Sequence, residues 1–286
     1  MNQRHDAGSP SSANSDVRSA LKWPGGKRRV IEHIRAAIPK QPYTRLVEPF
    51  VGGGSVFLNL AFEQYLLCDT NRDLISLYRA IKRAPKKFHR LTQALFTPET
   101  NTPAQYYALR EQFNQSTDPD TRAVLFLYLN RHGFNGLCRY NRSGGYNVPF
   151  GRYKKPYFPA QEIENLRQRL QYATLFQGDF EKAFNRTKAG DLVYCDPPYV
   201  PLNQTANFTA YAGNDFSLDD QARLVRRAQD ARTRGITTII SNHYTPFTQT
   251  LYSGANQQFV FPVQRSISQI GTKREKVQEV IAVYTP

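Results

Sequence analysis

Asp191-Leu-Val-Tyr-Cys-Asp-Pro-Pro-Tyr199 is the stretch of sequence from which the fold can be argued. Its apolar residues, Leu192 to Cys195, do not alternate with polar ones, which is typical of a parallel strand covered on both faces. The two prolines then remove two backbone donors and hold the chain extended. Because ligands bind at the carboxyl ends of strands in open α/β sheets, the sequence predicts a binding site at the lip formed by Asp196 to Tyr199.

The lip offers three groups to a ligand: the Asp196 carboxylate, a proline carbonyl that no strand partner uses, and the face of Tyr199. A primary amine on a planar ring could donate one N–H to each acceptor while its ring stacks on the tyrosine. Two acceptors on its hydrogens would make that nitrogen more nucleophilic. A bare Asp-Pro-Pro-Tyr sequence is equally compatible with an ordinary strand end and a proline turn.

Composition limits the class of protein. The chain has 286 residues, 40% of them hydrophobic, which is enough for a sizeable core in one large domain or one domain with an insertion. Its 38 Lys and Arg residues outnumber 23 Asp and Glu residues, and the formal net charge is +15. This balance favours a polyanionic partner such as nucleic acid, although a generally basic surface gives the same sum.

The cellular compartment is suggested by the cysteines and by the lack of long apolar runs. Cys68, Cys138 and Cys195 are widely spaced and form no metal-type pair, so a reducing cytoplasm fits best. No apolar run reaches the roughly 18 residues that a membrane span needs. Residues 1–19 are polar and rich in Ser, Asn and Ala, and they predict a disordered tail rather than a signal peptide.

A second motif lies near the start of the ordered chain. The sequence predicts a strand from Arg45 to Phe50, a glycine loop from Val51 to Ser55, and a helix after it, which is the context of a nucleotide loop. Asp69 ends the next predicted strand, where an acidic residue commonly binds a ribose diol. Asn71 or Asp73 could cap the helix that follows, and we assign the cap to Asp73.

The βαβ pattern stops between about Ile75 and Gln171, where helical patterns dominate, and this predicts an insertion. Within it, Arg131 to Lys155 contains six Arg and Lys residues, five Phe and Tyr residues and no acidic residue. Ser143-Gly-Gly145 predicts a hairpin turn. Basic and aromatic side chains interleaved on a hairpin are typical of a nucleic-acid reader, although a solvated basic face is the ordinary alternative.

The α/β pattern resumes after Gln171. The sequence predicts a helix from Leu218 to Arg232, a buried strand from Ile236 to Ile240, and an antiparallel strand pair over Phe259 to Arg265 and Val277 to Tyr284.

Four motifs in order resemble the Dam-type DNA adenine-N6 methyltransferases, over about Leu21 to Tyr284. They are Lys22-Trp-Pro-Gly-Gly-Lys27, Glu48-Pro-Phe-Val-Gly-Gly-Gly54, the segment from Asn130 to Lys155, and Asp196-Pro-Pro-Tyr199. RNA or protein methyltransferases that resemble this catalytic motif usually have Asn in place of Asp196. The alternatives are an adenine-N6 methyltransferase of a different DNA site, an RNA or protein methyltransferase, and a catalytically silent DNA-binding module.

The resemblance implies an α/β fold: a Rossmann-like sheet that binds S-adenosyl-L-methionine (SAM), with an inserted, mainly helical target-recognition domain that carries a β-hairpin. Residues 20–75 and 172–286 would form the SAM-binding catalytic domain and residues 76–171 the DNA-binding domain. The implied reaction is methylation of adenine N6 in double-stranded DNA, with GATC as the expected site and with the base flipped out of the duplex. No metal is expected, and the expected state is a cytoplasmic monomer.

The resemblance also implies roles for individual residues. The catalytic residues are Asp196, Pro197 and Tyr199. The SAM-binding residues are Trp23, Lys27, Phe50, Gly52, Gly54, Asp69 and Asp196. The DNA-binding residues are Lys22, Phe134, Asn135, Leu137, Arg139, Asn141, Pro149, Arg152 and Tyr153. Among these, Arg139 is expected on the first guanine, and Phe134 stands where a tyrosine wedge commonly inserts into the duplex.

Overall fold

The structure is a computed structural model that describes residues 17–202, 216–264 and 276–286. Its described strands form a seven-stranded sheet in the order β3-β2-β1-β4-β5-β7-β6. The strands are β1 Arg45–Glu48, β2 Gln64–Asp69, β3 Ala173–Gln177, β4 Asp191–Cys195, β5 Thr237–His243, β6 Gln257–Gln264 and β7 Lys276–Tyr284. The first five pair in parallel, whereas β7 lies antiparallel between β5 and β6. This topology confirms the predicted Rossmann-like sheet and the predicted antiparallel pair.

The predicted helices are also present. The described α-helices are α1 Ile31–Ala37, α2 Ser55–Asn59, α3 Arg72–Arg83, α4 Pro85–Gln93, α5 Pro103–Gln115, α6 Pro119–His132, α7 Ala160–Leu170, α8 Phe180–Phe184, α9 Leu218–Thr233 and α10 Pro246–Leu251. Helix α9 begins with a capping box, in which the Ser217 hydroxyl accepts from Asp220 N and the Asp220 carboxylate accepts from Ser217 N. None of the described helices is long and apolar enough to cross a membrane.

The cap of α3 differs from the prediction. Asn71, rather than Asp73, is the N-cap, and its side-chain oxygen accepts hydrogen bonds from Asp73 N and Leu74 N, both at 3.0 Å. The Asp73 carboxylate instead binds Arg122 of α6, with Nε 2.7 Å from Oδ1. The prediction was wrong because either residue satisfies the local cap pattern, and the half-buried arginine that binds Asp73 comes from a helix distant in the sequence.

The centre of the sheet explains why the lip lies where it does. All five residues of β4 are buried, as the unbroken apolar run predicts. Strand β4 lies between β1 and β5, with Val193 opposite both Val47 and Thr238. The carboxyl ends of β1, β2 and β4 therefore meet at one edge.

The helices between β2 and β3 pack on one face of this sheet. Phe113 of α5 and Phe126 of α6 belong to the same buried cluster as Leu46 of β1 and Leu192 of β4. The predicted boundaries of the insertion remain a prediction, because the helices of the insertion and the strands of the sheet share one buried core.

The predicted hairpin is a paired loop. Tyr140 and Tyr146 form one isolated antiparallel bridge, and Gly133 and Phe150 form another. At the turn, Asn141 N donates to Gly145 O at 2.8 Å. The predicted N-terminal tail lies outside the described residues except for residues 17–19, and so does most of the connection between β6 and β7.

Candidate active site

The predicted catalytic and cofactor residues surround one cavity of about 690 Å³ at the carboxyl edge of the sheet. Its size is in the range of small-molecule and cofactor sites. The predicted residues that line it are Trp23, Lys27, Phe50, Gly52, Asp69, Asp196, Pro197 and Tyr199. Gly54 lies behind the cavity wall, where a Cβ would be 2.4 Å from Cε1 of Phe57.

The glycine loop forms one wall of this cavity. Gly52 has a φ of +47°, and a Cβ there would lie 2.7 Å from the Trp23 indole nitrogen. The absence of a side chain therefore lets Trp23 pack directly on the loop backbone. Gly52 N donates to Asp69 Oδ2 at 3.0 Å and Asn71 N donates to Asp69 Oδ1 at 2.9 Å, so two amides fix the carboxylate that ends β2.

The lip after β4 is held by side chains from α9 and β5. Gln221 Nε2 donates to Pro198 O at 2.7 Å, and Val200 N donates to Asn242 Oδ1 at 3.0 Å. Asn242 Nδ2 in turn donates to Gln221 Oε1 at 3.1 Å. The lip is thus held by a hydrogen-bonded frame, as a rigid site requires.

Two side chains of the lip have partners inside the cavity. Lys27 Nζ lies 2.8 Å from Asp196 Oδ1 and 4.5 Å from the centre of the Tyr199 ring. The Tyr199 hydroxyl donates to Glu279 Oε2 at 3.2 Å. The rings of Tyr199 and His243 pack in a T-shaped contact, with 4.8 Å between ring centres. The carboxylate and the flat ring are therefore held side by side in the wall of the cavity.

The predicted DNA-binding residues lie on the paired loop and beside it. Phe134 N donates to Pro149 O at 2.9 Å, and Asn135 N donates to the Tyr153 hydroxyl at 3.0 Å, so the two arms are joined at their base. Phe134 is 47% exposed, which suits a wedge. Arg139, Asn141, Pro149 and Arg152 are exposed, whereas Leu137 is half-buried.

Lys22 connects this loop with the cavity, because it precedes Trp23. Its amide donates to Asn130 Oδ1 at 2.8 Å, its ammonium donates to Arg131 O at 3.2 Å, and the ammonium lies 3.6 Å from the centre of the Tyr153 ring. Burial, together with the charge of Arg131, lowers the pKa of Lys22 to about 8.

Comparison with known proteins identifies the chain. Residues 23–267 match the family described as D12 class N6 adenine-specific DNA methyltransferase. The chain belongs to this family. The DNA adenine methylase of Vibrio cholerae serotype O1 is 51% identical over 270 residues, which is 94% of this chain and 96% of that protein. The DNA adenine methylase of Escherichia coli K12 is 49% identical over 269 residues, 94% and 96% of the two chains, and that of Haemophilus influenzae is 47% identical over 269 residues, 93% of each.

Membership of the D12 class confirms the predicted reaction, methylation of DNA adenine at N6. It also removes the catalytically silent DNA-binding module as an alternative. The assignment of roles to single residues remains a prediction.

The electrostatics of this D12-class cavity are dominated by carboxyl groups. Burial raises the pKa of Asp196, and the adjacent Lys27 ammonium opposes that rise. Glu48, which is 2% exposed, has a pKa well above its usual value because of burial and the nearby Asp196 charge. Burial also raises the pKa of Glu279. Lys27, paired with Asp196, therefore offsets part of the negative charge at this edge of the sheet.

Several cavity residues were missed in the sequence. Glu48 precedes the glycine loop and could have been found from its position at the end of β1. Phe180 and Phe216 each have 5.5 Å between their ring centre and that of Phe50, and 5.8 Å separates their own ring centres, so the three rings form an aromatic cluster. Glu279 had no local signal, because it reaches the cavity only through the pairing of β7 with β5.

Proposed function

We propose that this chain methylates adenine N6 within GATC in double-stranded DNA, with SAM as the methyl donor and with the target base turned out of the duplex onto the Asp196–Tyr199 lip. The observation that carries the proposal is the geometry at the end of β4. A carboxylate paired with Lys27 and an aromatic ring held by Glu279 stand side by side above the glycine loop. An extruded adenine needs this combination, one acceptor for its amine and one face for its ring.

The residues of the cavity fit SAM. The Asp69 carboxylate at the end of β2 supplies acceptors for a ribose diol, and the stacked rings of Phe50 and Phe180 supply an aromatic surface for an adenine ring. Among the described residues no donor reaches Glu48 Oε1, so a buried carboxyl oxygen is available to a donor group such as an amine. When bound, SAM supplies an electrophilic methyl group on a sulfonium.

The side chains of the lip account for attack by a poor nucleophile. Tyr199 stacks on the extruded ring, and the Asp196 carboxylate and the Pro197 carbonyl accept the two N6 hydrogens. The lone pair on N6 is then aligned with the methyl carbon, and the new C–N bond forms as the C–S bond breaks and its electrons return to sulfur. Positioning of this kind can contribute about 7–11 kcal/mol in favourable cases.

Charge at the lip accounts for the remaining step. Positive charge develops on N6 as the new bond forms, and the negative carboxylate of Asp196 stabilises it. The methylated amine then loses one proton readily, so Asp196 acts first as an acceptor and needs no unusual pKa. Lys27 keeps that carboxylate ionised within the cavity.

Recognition of the site is assigned to the paired loop. The Arg139 guanidinium can fork onto the O6 and N7 atoms of the first guanine, whereas Leu137 and Pro149 offer apolar contacts to a thymine methyl. Phe134 would fill the gap left by the extruded base. Lys22, Asn135, Asn141, Arg152 and Tyr153 would contact the backbone or flanking bases.

The test is methyl transfer from labelled SAM to unmethylated plasmid, followed by digestion with GATC-cutting nucleases that respond oppositely to adenine methylation. Protection from one nuclease together with sensitivity to the other is expected. Labelling without that pattern would reject GATC, and absence of labelling would reject the assignment of the reaction to this cavity. Asp196→Ala is the matched variant, and it should lose transfer while retaining most of the affinity for DNA.

A further inference from the structure

The loop that carries Arg139 is fixed to the helices beneath it at both arms. On the descending arm, which follows the turn, both backbone groups of Tyr146 bind Asn114 of α5. Tyr146 N donates to Asn114 Oδ1 at 2.8 Å, and Asn114 Nδ2 donates to Tyr146 O at 3.2 Å. The Tyr106 hydroxyl and Arg110 both donate to Val148 O, at 3.0 Å and 3.1 Å. These bonds fix the arm that follows the turn through its backbone.

The ascending arm, which precedes the turn, is held by the side chain of Tyr140, the residue after Arg139. The hydroxyl of Tyr140 donates to Asp73 Oδ2 at 2.8 Å. Asn71 Nδ2 lies 3.3 Å from Cys138 Sγ, which adds a weaker contact on the other side of Arg139. Burial, reinforced by the nearby Cys138 and Asp73, raises the pKa of Tyr140, so its hydroxyl remains protonated and able to donate.

The acceptor for Tyr140 is itself immobilised. Asp73 is 5% exposed, and Arg122 of α6 binds it through two bonds, Nε to Oδ1 at 2.7 Å and Nη2 to Oδ2 at 2.8 Å. Arg122 also donates to Phe113 O at 2.7 Å and to Ser116 O at 3.1 Å, at the end of α5. A charge-assisted, bidentate pair with both partners fixed is a stiff support for one more hydrogen bond.

The side chain that this support orients is exposed and polar. Arg139 Nε donates to Asn147 Oδ1 at 2.8 Å and Nη2 donates to Asn147 O at 3.2 Å. A guanidinium has five N–H donors, so these two bonds orient the fork and leave donors for a base edge. Its direction depends on where the backbone at residues 139 and 140 is held.

We propose that Tyr140 and Asp73 are positioning residues that set the base selectivity of Arg139. The inference rests on the proposed function, since it takes Arg139 as the guanine reader. With the hydrogen bond between Tyr140 and Asp73 in place, the Arg139 guanidinium meets the O6 and N7 acceptors of guanine in the correct geometry. Without it, the ascending arm moves over a wider range, and the guanidinium can also satisfy its donors on a wrong base pair or on phosphate. Selectivity therefore falls more than affinity.

The test removes one hydroxyl with little change in shape. Affinities of Tyr140→Phe are measured by fluorescence anisotropy at one fixed salt concentration, for a GATC duplex and for duplexes altered only at the first base pair. The ratio of these affinities should fall about tenfold, as expected for loss of a hydrogen bond to a charged group. Affinity for a duplex without the site should stay at the wild-type value.

Tyr65→Phe is the matched control for loss of a buried hydroxyl. The Tyr65 hydroxyl donates to Leu60 O at 2.9 Å and accepts from Phe62 N at 3.0 Å and from Arg169 Nη1 at 2.7 Å. It lies near the amino end of β2, roughly 13 Å along the strand from the edge that carries the cavity. This variant should lower the thermal midpoint and leave the affinity ratio unchanged. Equal falls in the ratio for both tyrosine variants would overturn the proposal and indicate a general loss of stability.

Arg139→Ala separates failure of the inference from failure of the proposed function. If it leaves the first-base-pair ratio unchanged, the reading role of Arg139 is rejected. If it lowers the ratio while Tyr140→Phe does not, the positioning role alone is rejected. The double variant, Tyr140→Phe with Arg139→Ala, should have a first-base-pair affinity ratio no lower than that of Arg139→Ala alone, because Tyr140 acts through the arginine. A further, additive fall in the ratio would contradict that route.

Discussion

Lys27 Nζ lies 2.8 Å from Asp196 Oδ1 in the wall of the cavity, and both side chains are largely shielded from solvent, with 8% and 23% exposed. The same ammonium lies 4.5 Å from the centre of the Tyr199 ring. One cation from the start of the chain therefore contacts both lip residues assigned to the target base. Its charge opposes the effect of burial on the pKa of Asp196.

Replacing Lys27 with Met should move the acidic limb of the pH–rate profile to higher pH. In the proposed mechanism, transfer requires the ionised Asp196 acceptor, so the rate should fall as the pH drops through the pKa of that carboxyl. Loss of the neighbouring cation removes the effect that opposes burial and therefore raises the pKa of Asp196 further. The measurement is the single-turnover rate at saturating SAM and DNA. Lys27→Arg keeps the charge and should keep the limb near its wild-type position; an unmoved limb in Lys27→Met would contradict the role of the ion pair.

Glu48→Gln should remove a pH dependence of stability. The folded pKa of Glu48 lies well above its unfolded value, so the folded state holds a proton that the unfolded state has lost. The free energy of unfolding then falls as the pH rises between these two pKa values, by about 1.4 kcal/mol per pH unit from this group. Urea unfolding at several pH values within this interval checks it.

Two outcomes decide that experiment. Glu48→Gln should lose less stability than the wild type as the pH rises, whereas Glu63→Gln, at an exposed position, should follow the wild type. Parallel curves for wild type and Glu48→Gln would mean that Glu48 is already ionised in the folded protein.

Gly54→Ala should destabilise the protein more than Gly235→Ala. Both glycines have a φ of +76°, but a Cβ at Gly54 would lie 2.4 Å from Phe57 Cε1, whereas a Cβ at Gly235 meets nothing within 4 Å. The backbone cost of about 1–2 kcal/mol is common to both. Overpacking adds about 1–3 kcal/mol at Gly54 only.

Urea unfolding gives the two losses, and calorimetric titration with SAM gives the consequence for the loop. SAM affinity should fall in Gly54→Ala and remain unchanged in Gly235→Ala, which lies after α9. Equal losses of stability would show that Phe57 moves aside without cost.

The parts of the site that the sequence predicted are those in which neighbours along the chain determine the structure. The unbroken apolar run before Asp196 requires a buried strand, and the two prolines end it. The glycine loop likewise lies between a strand and a helix that it connects directly. Asp69 could be assigned to the cavity because the carboxyl ends of parallel strands share one edge.

The parts that could not be predicted depend on pairing between distant segments. Asp73 fits a helix cap locally, and only the packing of α6 on α3 brings Arg122 to it. Glu279 faces Tyr199 because β7 pairs with β5 in the register that sets it opposite His243. A one-residue shift in that register would turn its side chain to the other face of the sheet, and nothing near residue 279 fixes the register.

Glu279→Leu should slow methyl transfer by loosening the Tyr199 ring. The Tyr199 hydroxyl donates to Glu279 Oε2 at 3.2 Å, and burial raises the pKa of that carboxyl. Loss of the bond should lower the single-turnover rate roughly two- to tenfold, since an intramolecular hydrogen bond contributes about 0.5–1.5 kcal/mol. Glu279→Gln retains an acceptor oxygen and should lose much less.

Tyr199→Phe removes the same bond from the other side, so Tyr199→Phe combined with Glu279→Leu should be no slower than the slower single variant. Fluorescence of 2-aminopurine at the target position then reports whether the base still stacks on the ring, and additive losses in the double variant would mean that Glu279 acts on the cavity by a route other than Tyr199.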